Sequence, residues 1–287
     1  MYVWKQLSPS IEHSFPDGQV FGMTDTGNVR PSNEDNFLID AHLGLIAVAD
    51  GMGGHEAGEI ASSEALTSMA HFLRASVTSN GLAIRPRSQP RLSDIASNDP
   101  EVGWSDSTMA AMMTIHDAVE FANQSMYQTN LTNHRRAGGG MGTTLTGMWQ
   151  PQPGGPAFIF HVGDSRVYRL REGQLEQLTR DQTMHQHAID NGATKNLPPR
   201  NLLMQALGPS PSVRPELQTH VVVPGDLFML CSDGLHGTLE HRHIAKVLIR
   251  AASSDLGATC AQLIEMAKQD GSRDNITVVL FQCKQQA

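Results

Sequence analysis

LIAVADGMGG, residues 45–54, joins an apolar run directly to an acidic, glycine-rich loop. Residues 45–49 are continuously apolar and too few for a helix, which predicts a short β-strand buried on both faces. The run stops at Asp50, and a carboxylate at the end of a buried strand is costly unless a positive charge neutralises it. The glycines that follow, beginning with Gly51, allow a sharp turn and leave a backbone carbonyl free to bind a cation.

The same arrangement, an acid beside a short apolar run, occurs elsewhere in the chain. The further acidic residues of interest are Glu34, Asp35, Asp164, Asp233 and Asp274. Apolar runs at residues 158–162, 227–231 and 276–281 predict buried strands next to the last three of them. Carboxylates gathered at strand ends would resist ionising together, and divalent cations would remove that repulsion. Oxygen donors without His or Cys at zinc-ligand spacing favour hard cations such as magnesium or manganese.

The composition argues against several classes of partner. The chain has 287 residues and a formal net charge of -8, which disfavours a nucleic-acid or membrane-surface partner. Its three cysteines are scattered, and it has neither a signal-peptide pattern nor an apolar run long enough to span a bilayer. These features predict a reduced, cytoplasmic protein with no membrane partner.

The order of elements indicates the fold class. Helical spacing of apolar residues marks segments 57–73, 112–126 and 256–267, and short strands fill most of the remainder. Strands, two helices, many strands, a helix and a strand lack the alternation of a parallel βαβ fold, so an α+β sandwich with antiparallel sheets is predicted. We expect a lead-in over residues 1–18 and one domain over 19–284. Polar residues 76–106 look like an insertion.

Other phosphate chemistries fail on spacing. AGGGMGTT lacks the lysine of a P-loop, and Ser165 lacks the glycine frame of a nucleophile elbow. Cys231 opens CSDGLHG, in which Gly237 stands where a cysteine phosphatase needs arginine. Water activated by two metal ions about 3.5–4 Å apart remains, and such a site favours in-line attack on phosphorus. Arg30 could bind phosphate oxygens or form a salt bridge to Glu34 or Asp35, and local sequence does not decide between them.

Eight motifs in one order carry a family resemblance. They are RPSNED, ADGMGGHEAGEIAS, MGTTLTG, HVGDSRVYRL, LTRDQT, LLMQALG, CSDGLHG and RDNITVVL. Over residues 19–281 the chain resembles metal-dependent Ser/Thr protein phosphatases of the protein phosphatase 2C type, above all the stand-alone bacterial members. The resemblance implies an α-β-β-α sandwich, in which two antiparallel sheets flanked by helices carry two Mn²⁺ or Mg²⁺ ions in a cleft.

The resemblance also implies a role for each candidate residue. Asp50 would bridge the two ions, Gly51 would supply a carbonyl, and Glu34 would serve one ion while Asp233 and Asp274 serve the other. Arg30 would bind phosphate, Asp35 would orient metal-bound water, and Asn275 would support the Asp274 loop. Asp164 would bind a weaker third ion together with Asp233. Residues 179–207 would form a flap beside the cleft.

The implied activity is hydrolysis of phosphoserine and phosphothreonine on proteins by a hydroxide held between the ions. Its partners would be phosphorylated proteins, including a bacterial Ser/Thr kinase or its targets. Two departures stand out: Met52 cannot donate a proton where some members have histidine, and Gly237 replaces an acid near the third ion. A phosphoprotein-binding module without turnover and a sigma-factor-pathway phosphatase are the alternatives, although the latter often carries a sensor domain for which this chain has no room.

Overall fold

The computed structural model describes residues 5–53, 57–80, 105–132, 140–251 and 255–284. It contains strands and helices in the mixed order expected of an α+β protein. The strands are β1 His13–Phe15, β2 Gly18–Asp25, β3 Asp35–Asp40, β4 Leu45–Met52, β5 Gly142–Thr143, β6 Leu145–Trp149, β7 Ala157–Val162, β8 Arg166–Arg171, β9 Gln174–Gln177, β10 Glu216–His220, β11 Leu227–Cys231 and β12 Ile276–Cys283. The helices are α1 Ala57–Asn80, α2 Asp106–Thr132, α3 Met184–Asp190, α4 Asp233–His236, α5 His241–Ala251 and α6 Leu256–Gln269.

Two antiparallel sheets form the centre of the protein. One has the strand order β1-β2-β12-β11-β8-β9 and is called the β11 sheet here. The other, the β4 sheet, has the order β10-β7-β6-β4-β3, and β5 pairs with β4 outside that path. All of these pairings are antiparallel. The predicted sheet type is therefore confirmed.

Three apolar layers hold the sandwich together. The first lies between the β4 sheet and helices α1 and α2, and the second lies between the two sheets. The third packs the outer face of the β11 sheet against helices α5 and α6. This layering confirms the predicted α-β-β-α sandwich and explains why the central strands are apolar without alternation.

Strand β4 shows how one apolar run serves two layers. Leu45, Ala47 and Ala49 face helices α1 and α2, whereas Ile46 and Val48 face the other sheet. All five side chains are almost completely buried. Because both faces of the strand are covered, every position of the run must be apolar up to the acid that ends it.

Several elements differ from the sequence-based prediction. The lead-in contains β1, which pairs with β2, so it contributes an edge strand to the β11 sheet. Strand β10 and helix α5 were also missed. Helix α5 begins with HRH, but Ile244, Val247, Leu248 and Ala251 form a buried stripe at ordinary helical spacing.

The two longest helices flank the segment predicted as an insertion. Helix α1 continues to Asn80, so residues 76–80 of that segment are helical, and α2 begins at Asp106. Residues 81–104 lie outside the described part of the chain. Both helices carry polar faces, and among the described residues none of the helices is long and apolar enough to cross a membrane.

Candidate metal centre

A cleft of about 250 Å³ lies at one end of the two sheets. Acidic residues from both halves of the sequence line it, together with one arginine. Its lining residues are Arg30, Glu34, Asp50, Gly51, Met52, Gly53, Thr144, Asp164, Asn201, Leu203, Asp233 and Asp274. Of the site residues that the sequence predicted, only Asp35 and Asn275 are not among them.

Pairing of β3 with β4 brings the first acids together. Asp35 lies directly opposite Asp50 in the register of these strands. The Gly51 amide donates a hydrogen bond to the Glu34 carbonyl at 3.2 Å. Glu34, which directly precedes β3, and Asp50, which lies in β4, therefore reach the cleft from the β4 sheet.

Pairing of β11 with its two neighbours brings the remaining acids to the same end. Asp233 follows β11 and Asp274 precedes β12, and these strands are antiparallel, with Cys231 opposite Val278. Asp164 precedes β8, which pairs with the other edge of β11. Asp233 and Asp274 therefore approach the cleft from the β11 sheet, across from Glu34 and Asp50.

The crowding of carboxylates disfavours their ionised forms. Burial raises the pKa of Asp50 well above its ordinary value, and the charges of Asp35, Asp233, Asp164 and Asp274 raise it further. Burial, followed by the charge of Asp233, raises the pKa of Asp164 to about 8. Burial and then the Asp274 charge raise the pKa of Asp233 as well. Such a cluster has a strong electrostatic affinity for cations.

Asp35 lies behind the cleft rather than in its wall. Its Oδ2 accepts hydrogen bonds from Ser232 Oγ and Thr277 Oγ1, each at 2.7 Å. Burial raises its pKa to about 7 even though both hydroxyls favour the charged form. The side chain links β3 to β11 and β12, which ties the two sheets together beneath the acids.

Asn275 supports the Glu34 side of the cleft more than the sequence suggested. Its backbone amide donates to Asp274 Oδ1 at 3.0 Å. Its side chain accepts the Glu34 amide at 2.8 Å and donates to the carbonyls of Thr26 and Ser32, each at 2.9 Å. One buried amide thereby fixes the loops that present both Glu34 and Asp274.

Arg30 lies at the cleft with a partner that the sequence did not indicate. Its Nη2 donates to Asp274 Oδ2 at 2.7 Å, so the salt bridge runs to Asp274 and not to Glu34 or Asp35. The Arg30 side chain is 48% exposed, so the guanidinium borders both the carboxylates and solvent. This position suits contact with an anionic ligand that enters the cleft.

The donor set fits hard divalent cations that retain water ligands. The acidic side chains of the cleft offer only oxygen atoms as metal ligands. One of these atoms, Asp233 Oδ1, is buried without a hydrogen-bond partner. Across residues 5–53, 57–80, 105–132, 140–251 and 255–284, no three His, Cys, Asp or Glu side chains form a ready-made cage for one ion. Magnesium-like ions commonly bind through one or two carboxylates and keep several waters, which suits this arrangement.

The raised pKa values predict that the metal-free protein loses stability as pH rises. Between pH 6 and 9 the folded state binds more protons than the unfolded chain, because Asp35 has a pKa of about 7 and Asp164 of about 8. Stability therefore falls as these groups ionise. We expect the melting temperature of EDTA-treated protein to drop by about 5 °C or more over this range, and Mn²⁺ to reverse most of the drop. Calorimetry checks this, and a melting temperature independent of pH would contradict it.

Some cleft residues were not singled out from sequence. Thr144 lies in the quoted MGTTLTG motif, but nothing local marks its side chain as part of the cleft. Asn201 and Leu203 come from the 179–207 segment, which borders the cleft and contains α3. Their only sequence signal is their place in a long irregular stretch.

The position of Cys231 excludes it as the nucleophile of a cysteine phosphatase. Cys231 lies in the apolar layer between the β11 sheet and its helices, and it is completely buried. Burial raises the pKa of its thiol to about 12, so a nucleophilic thiolate is not available at neutral pH.

Comparison with known proteins identifies relatives over nearly the whole chain. Serine/threonine protein phosphatase PstP of Mycobacterium tuberculosis is 33% identical over 262 residues, which cover 90% of this chain and 43% of PstP. The chain thus spans less than half the length of that relative. Protein phosphatase PhpP of Streptococcus pneumoniae is 27% identical over 270 residues, covering 90% of this chain and 94% of PhpP.

A solved structure and a family model agree with these relatives. The crystal structure of the PstP catalytic domain in complex with two manganese ions is 30% identical, with a TM-score of 0.70, and the match covers 92% of this chain and 97% of that one. The model of the family described as Protein phosphatase 2C matches residues 30–277, from the arginine at the cleft to the second residue of β12. With this match over most of its length, the chain belongs to the protein phosphatase 2C family.

Proposed function

We propose that this protein hydrolyses phosphoserine and phosphothreonine on proteins at a centre of two Mn²⁺ or Mg²⁺ ions. The observation that carries the proposal is the convergence of Glu34, Asp50, Asp233 and Asp274 in one cleft beside Arg30. Four carboxylates attract divalent cations, and a guanidinium at their edge attracts a phosphate group. Family membership supports the same reading.

The proposed ligand roles are those that membership of the protein phosphatase 2C family implies. Asp50 would be shared between the ions, with Glu34 and the Gly51 carbonyl on one side and Asp233 and Asp274 on the other. Asp164, which lines the same cleft, would hold a weaker third ion together with Asp233. Two such ions, when bound, would lower the pKa of water and so supply a hydroxide nucleophile for phosphorus near neutral pH.

The site differs from some members of the family in the residue that could protonate the leaving group. Met52 lines the cleft and has no proton to donate. A serine or threonine alkoxide is a poor leaving group, so we propose that water in the cleft supplies the proton. The thioether instead makes that part of the wall apolar.

The physiological setting belongs to the same proposal. Phosphorylated proteins would be the substrates, and a Ser/Thr kinase or its targets would be included among them. We propose a cytoplasmic location, in line with the absence of a membrane-spanning helix in the described residues. Residues 19–284 would form one catalytic domain, with 179–207 as a flap at the cleft.

The deciding experiment measures phosphate release from a phosphothreonine peptide by the purified chain. Activity should require Mn²⁺ or Mg²⁺, stop with EDTA and return when the metal is restored. Activity untouched by chelation would overturn the proposed chemistry. Calorimetric binding of the phosphopeptide without phosphate release would instead favour a binding module.

Arg30→Ala should weaken substrate binding more than turnover. Loss of a charge-assisted contact to phosphate typically costs about 1.5–3 kcal/mol, so we expect KM to rise about tenfold or more with a smaller change in kcat. Arg30→Lys should recover part of the loss, because lysine keeps the charge but not the planar fork. Steady-state kinetics on the phosphopeptide measure both constants.

Arg242→Ala is the matched control for this prediction. Arg242, an exposed residue of α5, pairs with Glu240 and does not line the cleft, so its loss should leave both constants unchanged. If Arg30→Ala altered Mn²⁺ affinity but not KM, Arg30 would serve only as the partner of Asp274.

A further inference from the structure

Two of the acid-bearing loops meet at a single buried hydroxyl. The Asp50 amide donates a hydrogen bond to Thr144 Oγ1 at 2.9 Å. Thr144 Oγ1 also lies 2.8 Å from Ser165 Oγ, next to Asp164 in sequence. Thr144 is 1% exposed and Ser165 is 0% exposed, so water does not compete for these bonds. The Thr144 hydroxyl therefore joins the Asp50 loop to the Asp164 loop.

The bonding pattern around Asp50 is complete only with the two threonines of the MGTTLTG motif. The Asp50 carbonyl accepts the Thr144 amide and the Thr143 hydroxyl, each at 2.9 Å. Its amide has Thr144 Oγ1 as its acceptor. Either hydroxyl can donate in the bond between Thr144 and Ser165, and in both cases Thr144 Oγ1 continues to accept from Asp50.

The Asp164 loop is shaped to reach this hydroxyl. Gly163 has φ +109, and a Cβ at this position would lie 2.6 Å from Thr144 Cγ2. A side chain would therefore be strained by the backbone angle and would also collide with Thr144. Gln182 fixes the loop from its other side. The Gly163 amide donates to Gln182 Oε1 at 2.9 Å, and the Gln182 backbone amide donates to the Gly163 carbonyl at 2.8 Å.

From this geometry we infer that Thr144 is a positioning residue whose hydroxyl sets the spacing between the Asp50 and Asp164 carboxylates. The inference rests on the proposed function, since the spacing matters only if these acids bind metal. Groups that orient metal ligands commonly contribute about 10–100-fold to metal affinity. The inference concerns the Thr144 hydroxyl, which bonds to both loops, and not the methyl group, which lies beside Gly163.

The test compares Thr144→Val with Thr144→Ser by calorimetric titration with Mn²⁺. Valine keeps the shape and removes the hydroxyl, so we expect affinity to fall about tenfold or more. Serine keeps the hydroxyl and should remain within about threefold of the original chain. Thr114→Val is the control, because it removes a buried hydroxyl that bonds to the Ala110 carbonyl at 2.7 Å in α2, remote from the cleft.

A second variant protects the inference if Thr144→Val fails to fold. Ser165→Ala should also weaken Mn²⁺ binding, and the double variant should bind no more weakly than Thr144→Val, because both act through one connection. Unchanged affinity in Thr144→Val, equal losses in the valine and serine variants, a matching loss in Thr114→Val, or additive losses would each overturn the inference.

The same titrations separate this inference from the proposed function. If the original chain binds Mn²⁺ but releases no phosphate, the proposed hydrolysis fails while the role of Thr144 can still be upheld by the affinities. If the original chain hydrolyses the phosphopeptide and Thr144→Val binds Mn²⁺ as tightly, only the positioning role fails.

Discussion

Asp233→Asn should lower Mn²⁺-dependent phosphopeptide hydrolysis by about a thousandfold or more while the protein remains folded. The substitution preserves shape but removes the charge of the acid whose Oδ1 is buried without a partner. A thousandfold loss corresponds to about 4 kcal/mol, which is within what a bound metal contributes to a transition state. Steady-state kinetics at saturating Mn²⁺ measure the loss.

Stability should move in the opposite direction. Without metal, Asp233→Asn removes one charge from a set of mutually repelling carboxylates that includes Asp274. Its melting temperature in EDTA should therefore equal or exceed that of the original chain, whereas the increase on adding Mn²⁺ should be smaller. Full activity in this variant would rule out Asp233 as a metal ligand.

Asp226→Asn is a closely matched control, since Asp226 precedes β11 and Asp233 follows it. Asp226 is buried and accepts hydrogen bonds from the Arg171 guanidinium at 2.8 and 2.7 Å, far from the cleft. Its neutralisation should lower the melting temperature and leave kcat unchanged for the folded protein. The pair of variants thus separates loss of a buried charge from loss of a cleft charge.

Gly51→Ala should destabilise the protein and abolish its metal response. A Cβ at Gly51 would lie 2.0 Å from the Gly58 carbonyl oxygen and 2.6 Å from that of Glu34. Both obstacles are backbone atoms, so relief requires α1 or the Glu34 loop to move away from Asp50. We expect a loss of about 3–5 kcal/mol in unfolding free energy, or about 10 °C in melting temperature. Urea titration measures the former.

Gly173→Ala gives the contrast for this prediction. Gly173 has φ +76 in the turn between β8 and β9, and nothing lies within 4 Å of the position that a Cβ would take. Alanine there should cost only about 1 kcal/mol of backbone strain and leave Mn²⁺ binding intact. Equal effects at the two glycines would mean that crowding at Gly51 is not the cause.

The central strands and the acids were predictable because a single physical constraint acts on each. Residues 45–49 and 227–231 are buried on both faces, so their apolar character is uninterrupted. An acid directly beyond such a run is conspicuous against that background. Strand β10 carries buried Gln218, Thr219 and His220, whose polar groups conceal a buried strand from any reading based on hydrophobicity.

The connections around the acids were not predictable, because they join residues distant in sequence. The partner of Arg30 proved to be Asp274, and no local pattern near either residue indicates that pairing. The side chain of Asn275 supports the loop of Glu34, which follows only from the pairing of β12 with β2. Thr144 likewise gains its contacts from the packing of two loops rather than from its own neighbours.

Because the acids are divided between two sheets, any ion that they share would be a reversible crosslink between the sheets. Glu34 and Asp50 come from the β4 sheet, and Asp233 and Asp274 come from the β11 sheet, with an apolar layer between them. An ion bound by both groups would resist sliding of one sheet over the other. A larger or smaller side chain at Phe37 or Phe228 in that layer would then change the metal concentration that the protein needs for full stability, although neither residue lines the cleft. Any redesign of this sandwich would therefore have to adjust the packing between the sheets and the metal affinity of the cleft together.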